Sequence, residues 1–215
     1  MEKRKLYVAI AGNIGVGKTT LTRMLSERLG WKSFYERVID NPYLSDFYAD
    51  MKRWSFHLQI FFLSNRFTDQ KKITDWPNSC IQDRSIYEDV EIFAHTIHKA
   101  GNMTDRDYQN YQDLFATMIS YLRKPDLIIY LRSSVENLQK HIQKRGRDYE
   151  KTIDPNYLAE LNEAYEAWID RAKDKEFKVI TFDMNHRDFE HNPEDFDLLY
   201  RSIKELESQT WIKGV

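Results

Sequence analysis

Residues 9–20 read AIAGNIGVGKTT and gather three of the chain's seven glycines and one lysine into a single turn. From Gly12 to Thr19 they satisfy the spacing G-x-x-x-x-G-K-[ST], after an apolar run and at the start of the amphipathic stretch GKTTLTRMLSERLG, which Gly30 would end. That context constrains the fold strongly, because the turn works only between a strand and a helix. The glycines let backbone N–H groups approach a phosphate closely, and the helix N-terminus adds partial positive charge. Gly12, Asn13, Ile14, Gly15, Val16, Gly17, Lys18, Thr19 and Thr20 are therefore expected to hold a nucleoside triphosphate. Lys18 would reach its terminal phosphates, and the Thr19 hydroxyl would hold Mg²⁺.

Beyond the turn, short apolar runs alternate with longer helical patterns, as in a mostly parallel sheet covered by helices. Strands are expected at 6–11, 33–36, 79–83, 126–132 and 177–182, and helices at 53–72, 85–99, 104–122, 133–145, 156–173 and 193–207. The chain contains no repeat, low-complexity tract or linker, so its 215 residues are read as one domain.

Composition narrows the function classes. Thirty-two Lys and Arg against 34 Asp and Glu give no basic surplus for nucleic acid or an anionic membrane. The stretch WSFHLQIFFL, interrupted by His57 and Gln59, is too short to span a bilayer. A single cysteine, Cys80, excludes an internal disulfide and any cysteine-based zinc site, which fits the cytoplasm. The guanine-reading NKxD of GTPases is absent, and the length leaves no room for a motor's coupling domains. A small kinase is the economical reading.

Three further groups specify the chemistry. Glu36 closes the second expected strand, where α/β folds line their ligand crevice, and a carboxylate there suits removal of an alcohol's proton. Asp83 closes the third, in the position of a magnesium-binding acid, and Arg84 beside it would neutralise charge on the transferred group. The loop KRGRDYE places Arg145 and Arg147 around Gly146, a candidate lid at about 144–152.

Taken together, GNIGVGKTT, NPYLSDFY, RWSFHLQIFFLSNR, QDRSIYED, KRGRDYE and DMNHRDF resemble the deoxyribonucleoside kinases over nearly the whole chain, and the bacterial deoxyadenosine/deoxycytidine kinases most. The resemblance implies a three-layer P-loop kinase fold with a five-stranded parallel sheet and an arginine-rich lid. It also implies a homodimer and transfer of phosphate from ATP, with Mg²⁺, to a deoxynucleoside 5′-hydroxyl. By position, Glu36 matches the general base, Arg84 the arginine near the reacting oxygens, and Tyr48 with Glu150 the readers of the sugar 3′-hydroxyl. Arg145 and Arg147 match the lid arginines, and Asp188 with Phe189 the loop near the donor adenine. Arg37 stands where the family often has Pro, Asn41 where animal members have Trp, and His141 where an Arg is common.

For the acceptor base, Gln59 and Arg66 are seven residues apart on one helical face with Phe62 between, and Asp89 and Phe93 are four apart on another helix. A Gln amide suits the edge of adenine, though flipped it suits thymine as well. An Asp accepts from an exocyclic amine, which thymine lacks, and the Arg66/Asp89 pair resembles that of members taking purine deoxynucleosides or deoxycytidine. Deoxyadenosine is thus favoured, with deoxycytidine or deoxyguanosine next. A nucleoside monophosphate kinase and a non-catalytic nucleotide-binding protein are the alternatives.

Overall fold

A computed structural model describes residues 5–36, 41–147, 150, 153–175 and 177–209. Among these, five strands form one parallel sheet: β1 (Tyr7–Gly12), β2 (Lys32–Phe34), β3 (Cys80–Asp83), β4 (Leu127–Arg132) and β5 (Val179–Asp183), in the order β2-β3-β1-β4-β5. The chain runs from β1 out to β2, returns through β3, and crosses β1 to reach β4. The order therefore reverses between β1 and β3, and the crevice for a ligand opens at their carboxyl ends.

Burial explains the sequence pattern. Tyr7 to Ala11 and Leu127 to Ile129 are fully buried, so the central strands read as continuous apolar runs because helices cover both faces. Each such aliphatic side chain contributes about 1.5–3 kcal/mol of burial free energy. Cys80 sits at the start of β3, where burial pushes its thiol up to about 12, and it acts as a small hydrophobe. No described helix is long and apolar enough to cross a membrane.

The helices start at local signals. α1 (Lys18–Leu29) leaves the glycine turn and ends at Gly30, and α3 (Met51–Asp75) is capped by Asp50. α6 (Asp105–Ile119) is capped by Thr104, and α7 (Val135–Arg145) by Ser134 at its start and Gly146 at its end. α8 (Pro155–Lys175) and α9 (Pro193–Gln209) both begin on proline, whose missing N–H costs nothing in a first turn.

Three expectations need correction. A short helix, α2 (Leu44–Ala49), precedes α3 in a stretch that carries no long periodicity. The helix expected over 85–99 is not uniform. It begins as α4 (Ile86–Glu88) behind a Ser85/Glu88 capping box, widens into a π-helical stretch over Asp89–Ala94, and resumes as α5 (His95–Lys99). The second strand stops at Phe34, opposite Gln82, so Glu36 stands two residues beyond the ladder instead of within it. Of the expected lid, residues 148–149 and 151–152 lie outside the described residues.

Candidate active site

The carboxyl ends of β1 and β3 open into a cavity of about 790 Å³. Its floor is the glycine turn from Ile14 to Thr20. Gly12 and Asn13 do not line it. A Cβ on Gly12 would stand 2.7 Å from Leu131 O at φ +146°, and a Cβ on Gly15 would stand 3.0 Å from Leu138 O at φ +82°, so neither position tolerates a side chain. Asn13 is buried and ties the turn to α8 through Leu158 O (2.9 Å) and Asn162 (2.8 Å). Lys18 Nζ donates to Asn13 O at 2.9 Å, and burial, with Arg84 next, lowers its pKa to about 8.

Thr19 Oγ1 donates to Asp83 Oδ2 at 2.5 Å, while Asp83 Oδ1 is buried without a hydrogen-bond partner. Burial raises the Asp83 pKa. A hydroxyl and an orphaned carboxylate oxygen beside a phosphate cradle are hard oxygen donors of the kind Mg²⁺ takes together with substrate phosphates, so these residues fit that ion.

The opposite wall is a buried charge cluster. Glu36 Oε1 accepts from Arg66 Nη2 at 2.6 Å and lies 3.1 Å from Arg84 Nε. Arg66 Nε donates to Asp89 Oδ2 at 3.1 Å, and Arg66 Nη1 to Asp83 O at 3.4 Å. Burial alone would raise the Glu36 pKa; Arg84 and then Arg66 outweigh it and hold it at about 2. At Asp89 burial wins over Arg66, and the pKa rises to about 6. Arg66 does not line the cavity. It stands behind Glu36 and Asp89 with its donors engaged, and so orients the two carboxylates that do line it.

Tyr48, Gln59, Phe62 and Phe93 line the same chamber. Gln59 is buried and its Oε1 has no hydrogen-bond partner. Phe93 lies under the guanidinium of Arg84, 4.3 Å from ring centroid to Cζ, which leaves Phe62 as the freer stacking face. At the mouth, Glu150 accepts from Arg145 Nε at 2.9 Å and from Arg147 Nη1 at 3.3 Å, so one carboxylate holds both lid arginines. Asp188 and Phe189 close the far rim. The Phe189 ring packs on Gly17 and Phe182, and the Asp188 carboxylate caps the N–H groups of Glu190 and His191.

Several contributors had no sequence signal read for them. Leu44 and Phe47 of α2, with Leu58 and Tyr157, supply apolar wall. His141, which the sequence marks only as standing where an Arg is common, has its Nδ1 3.0 Å from Gly15 O and places α7 against the glycine turn. Glu88 and Tyr165 stand below the cavity; the S-x-x-E of the capping box was the available clue to Glu88.

Comparison with known proteins agrees with this geometry. A family described as "Deoxynucleoside kinase" matches residues 8–207. The chain is 46% identical over 164 residues to a deoxyadenosine/deoxycytidine kinase of Bacillus subtilis, covering 75% of this chain and 76% of that one. It is 36% identical over 202 residues to a deoxyguanosine kinase of the same organism, covering 93% and 97%. A solved deoxyadenosine kinase from M. mycoides, bound to the products dCMP and a flexible dCDP, superposes with a TM-score of 0.82 at 29% identity, covering 93% of this chain and all of that one.

Proposed function

Because the chain belongs to the deoxynucleoside kinase family and is an enzyme that phosphorylates a nucleoside 5′-hydroxyl, we propose that Glu36 receives that hydroxyl and that deoxyadenosine is the favoured acceptor. One observation carries the reading: a carboxylate held by two buried arginines faces the glycine turn across a single cavity.

The residues divide the work. Lys18 and the N–H groups of the turn hold the ATP phosphates. Glu36 accepts the hydrogen bond of the 5′-hydroxyl and so aims its lone pair at the terminal phosphorus. Paired with two arginines it is a weak base, so the proton reaches it late, in keeping with a loose phosphoryl-transfer transition state. Arg84, Arg145 and Arg147 offset the charge that spreads over the transferred oxygens. Thr19 and Asp83 would hold Mg²⁺, which supplies further neutralisation of the phosphates.

Tyr48 and Glu150 would take the sugar 3′-hydroxyl, and Asp89 and Gln59 the base edge. Asp89, ionised at neutral pH, accepts from an exocyclic amine, which deoxyadenosine has and thymidine lacks. One Bacillus subtilis relative is named for deoxyadenosine and deoxycytidine and another for deoxyguanosine, all of which carry such an amine. The match to deoxynucleoside kinases supports a nucleoside acceptor over a monophosphate. The reading extends to Asp188 and Phe189 beside the donor adenine and to a single domain over residues 1–215. The reading also includes a homodimer, as the family resemblance implies, and cytoplasmic residence.

The test is incubation with Mg-ATP and each of the four deoxynucleosides, with the monophosphates quantified. Deoxyadenosine well ahead of thymidine is expected. Thymidine ahead would overturn the base assignment, and no monophosphate from any of them would overturn the assignment of Glu36.

A further inference from the structure

Arg84 is the one non-glycine residue with a left-handed backbone among the described residues, at φ +65°. A side chain costs energy in that region, of order 1–3 kcal/mol, and the conformation persists only where the surroundings hold it. Beside the Phe93 ring and the nearby Glu88 carboxylate, three polar contacts hold this one. Arg84 N donates to Ile10 O at 3.0 Å, Nε faces Glu36, and Nη1 donates to Tyr165 Oη at 2.9 Å.

Tyr165 is fully buried on α8, and its ring stacks on Tyr130 of β4 at 5.6 Å. Its hydroxyl accepts from Arg84 and has one proton facing two acceptors, Gly12 O and Glu88 Oε1, both at 2.8 Å. Glu88 is buried as well. Its Oε1 accepts from Gly12 N at 3.2 Å and its Oε2 from Ser85 N at 2.8 Å. Burial keeps the phenol protonated far above neutral pH. One hydroxyl thus joins the first glycine of the phosphate turn, the strained arginine just beyond β3 and the capping carboxylate of α4. Nη2 of Arg84 has no hydrogen-bond partner among the described residues, and Arg84 lines the cavity.

We propose that Tyr165, acting with Glu88, is a positioning residue for phosphoryl transfer: it fixes the Arg84 guanidinium relative to the glycine turn so that Nη2 meets the transferred phosphoryl. This rests on the proposed role of Arg84. Tyr165 touches no substrate and acts only through Arg84 and Gly12. Its ring fills the space between β4 and α8, so only the hydroxyl carries the positioning role.

The test is a double-mutant cycle with Tyr165→Phe and Arg84→Lys, read as kcat and as KM for ATP on folded, full-length protein. Phe keeps the ring and the Tyr130 stack and removes one oxygen. In the Arg84 background we expect kcat to fall about tenfold, the size of one charge-assisted hydrogen bond, with KM for ATP within about twofold. In the Arg84→Lys background the same change should alter kcat less than about twofold, because its object is gone. An unchanged kcat for Tyr165→Phe, or an equal loss in both backgrounds, overturns the inference. A wild type that phosphorylates no deoxynucleoside overturns instead the function on which it rests. Should Tyr165→Phe not fold, Glu88→Gln reads the same anchor: it keeps the capping acceptor, and a loss confined to the Arg84 background supports the inference whereas an equal loss in both contradicts it.

Discussion

Two places in this molecule use the same device, a carboxylate that clamps a pair of arginines, and they differ in burial. Glu36 holds Arg66 and Arg84, whose side chains are each 5% exposed; Glu150 holds Arg145 and Arg147, which are 35% and 33% exposed. The inner clamp is further braced by Asp89, Tyr165 and the backbone of Asp83. Among the described residues, the outer clamp has Glu150 alone in common between its arginines. Buried charges are costly to unpair, so the inner clamp is fixed before any ligand arrives. The outer arginines, one-third exposed, are compensated in part by water, so trading the buried Glu150 carboxylate for a phosphate costs them less than it would cost the inner pair. The inner clamp therefore sets geometry, and the outer clamp is suited to follow the ligand.

The comparison breaks most visibly at its centre. Glu36→Gln removes the charge between the two inner arginines and is expected to lower kcat about 10²-fold or more, measured by monophosphate formation, with ATP binding retained. Asp89→Asn should reduce the preference for deoxyadenosine over thymidine about tenfold in kcat/KM, and it also sharpens the pH dependence. Protonation takes the charge from Asp89 and turns one of its acceptor oxygens into a donor, which weakens its bonds to an amine and to Arg66, so kcat/KM for deoxyadenosine should fall as pH drops below about 6, and the Asn variant should lose that acid limb.

Arg147→Ala in the outer clamp should cost about tenfold or less, with a loss that shrinks at high salt because the arginine itself is one-third exposed. At the basic side, Lys18 loses its proton above about 8, so kcat/KM for ATP should decline there while kcat at saturating ATP declines later, the bound phosphates raising that pKa. The smallest effect belongs to the exposed Arg23/Glu27 pair on α1: Arg23→Ala should shift stability by no more than about 0.5 kcal/mol in thermal unfolding and leave activity unchanged.

What was legible in the sequence was local. The glycine turn, the apolar strands and the carboxylates at or near their ends are each written within a few consecutive residues, and the sheet follows from their alternation with helices. Glu36 was found by its place after an apolar run, even though β2 ends earlier than expected. What was not legible joins distant segments. Arg66 and Glu36 are 30 residues apart, and no pattern in either stretch says that Arg66 stands behind two carboxylates instead of in the cavity. Tyr165 and Gly12 are 153 apart, and a tyrosine on the apolar face of α8 reads as core until its hydroxyl is placed. The π-helical stretch at Asp89–Ala94 has the composition of an ordinary helix, and α3, α6 and α8, from distant parts of the chain, all pack on it.

The most direct measurement sets Glu36→Gln and Glu150→Gln beside the wild type, with deoxyadenosine varied at saturating Mg-ATP. A fixed inner clamp and an exchangeable outer one predict that Glu36→Gln stays about 10²-fold slower at every deoxyadenosine concentration. They also predict that Glu150→Gln needs more deoxyadenosine but then returns to within about tenfold of the wild-type rate. A Glu36→Gln variant that turns over like the wild type, or two variants that lose the same rate at saturation, would contradict the account.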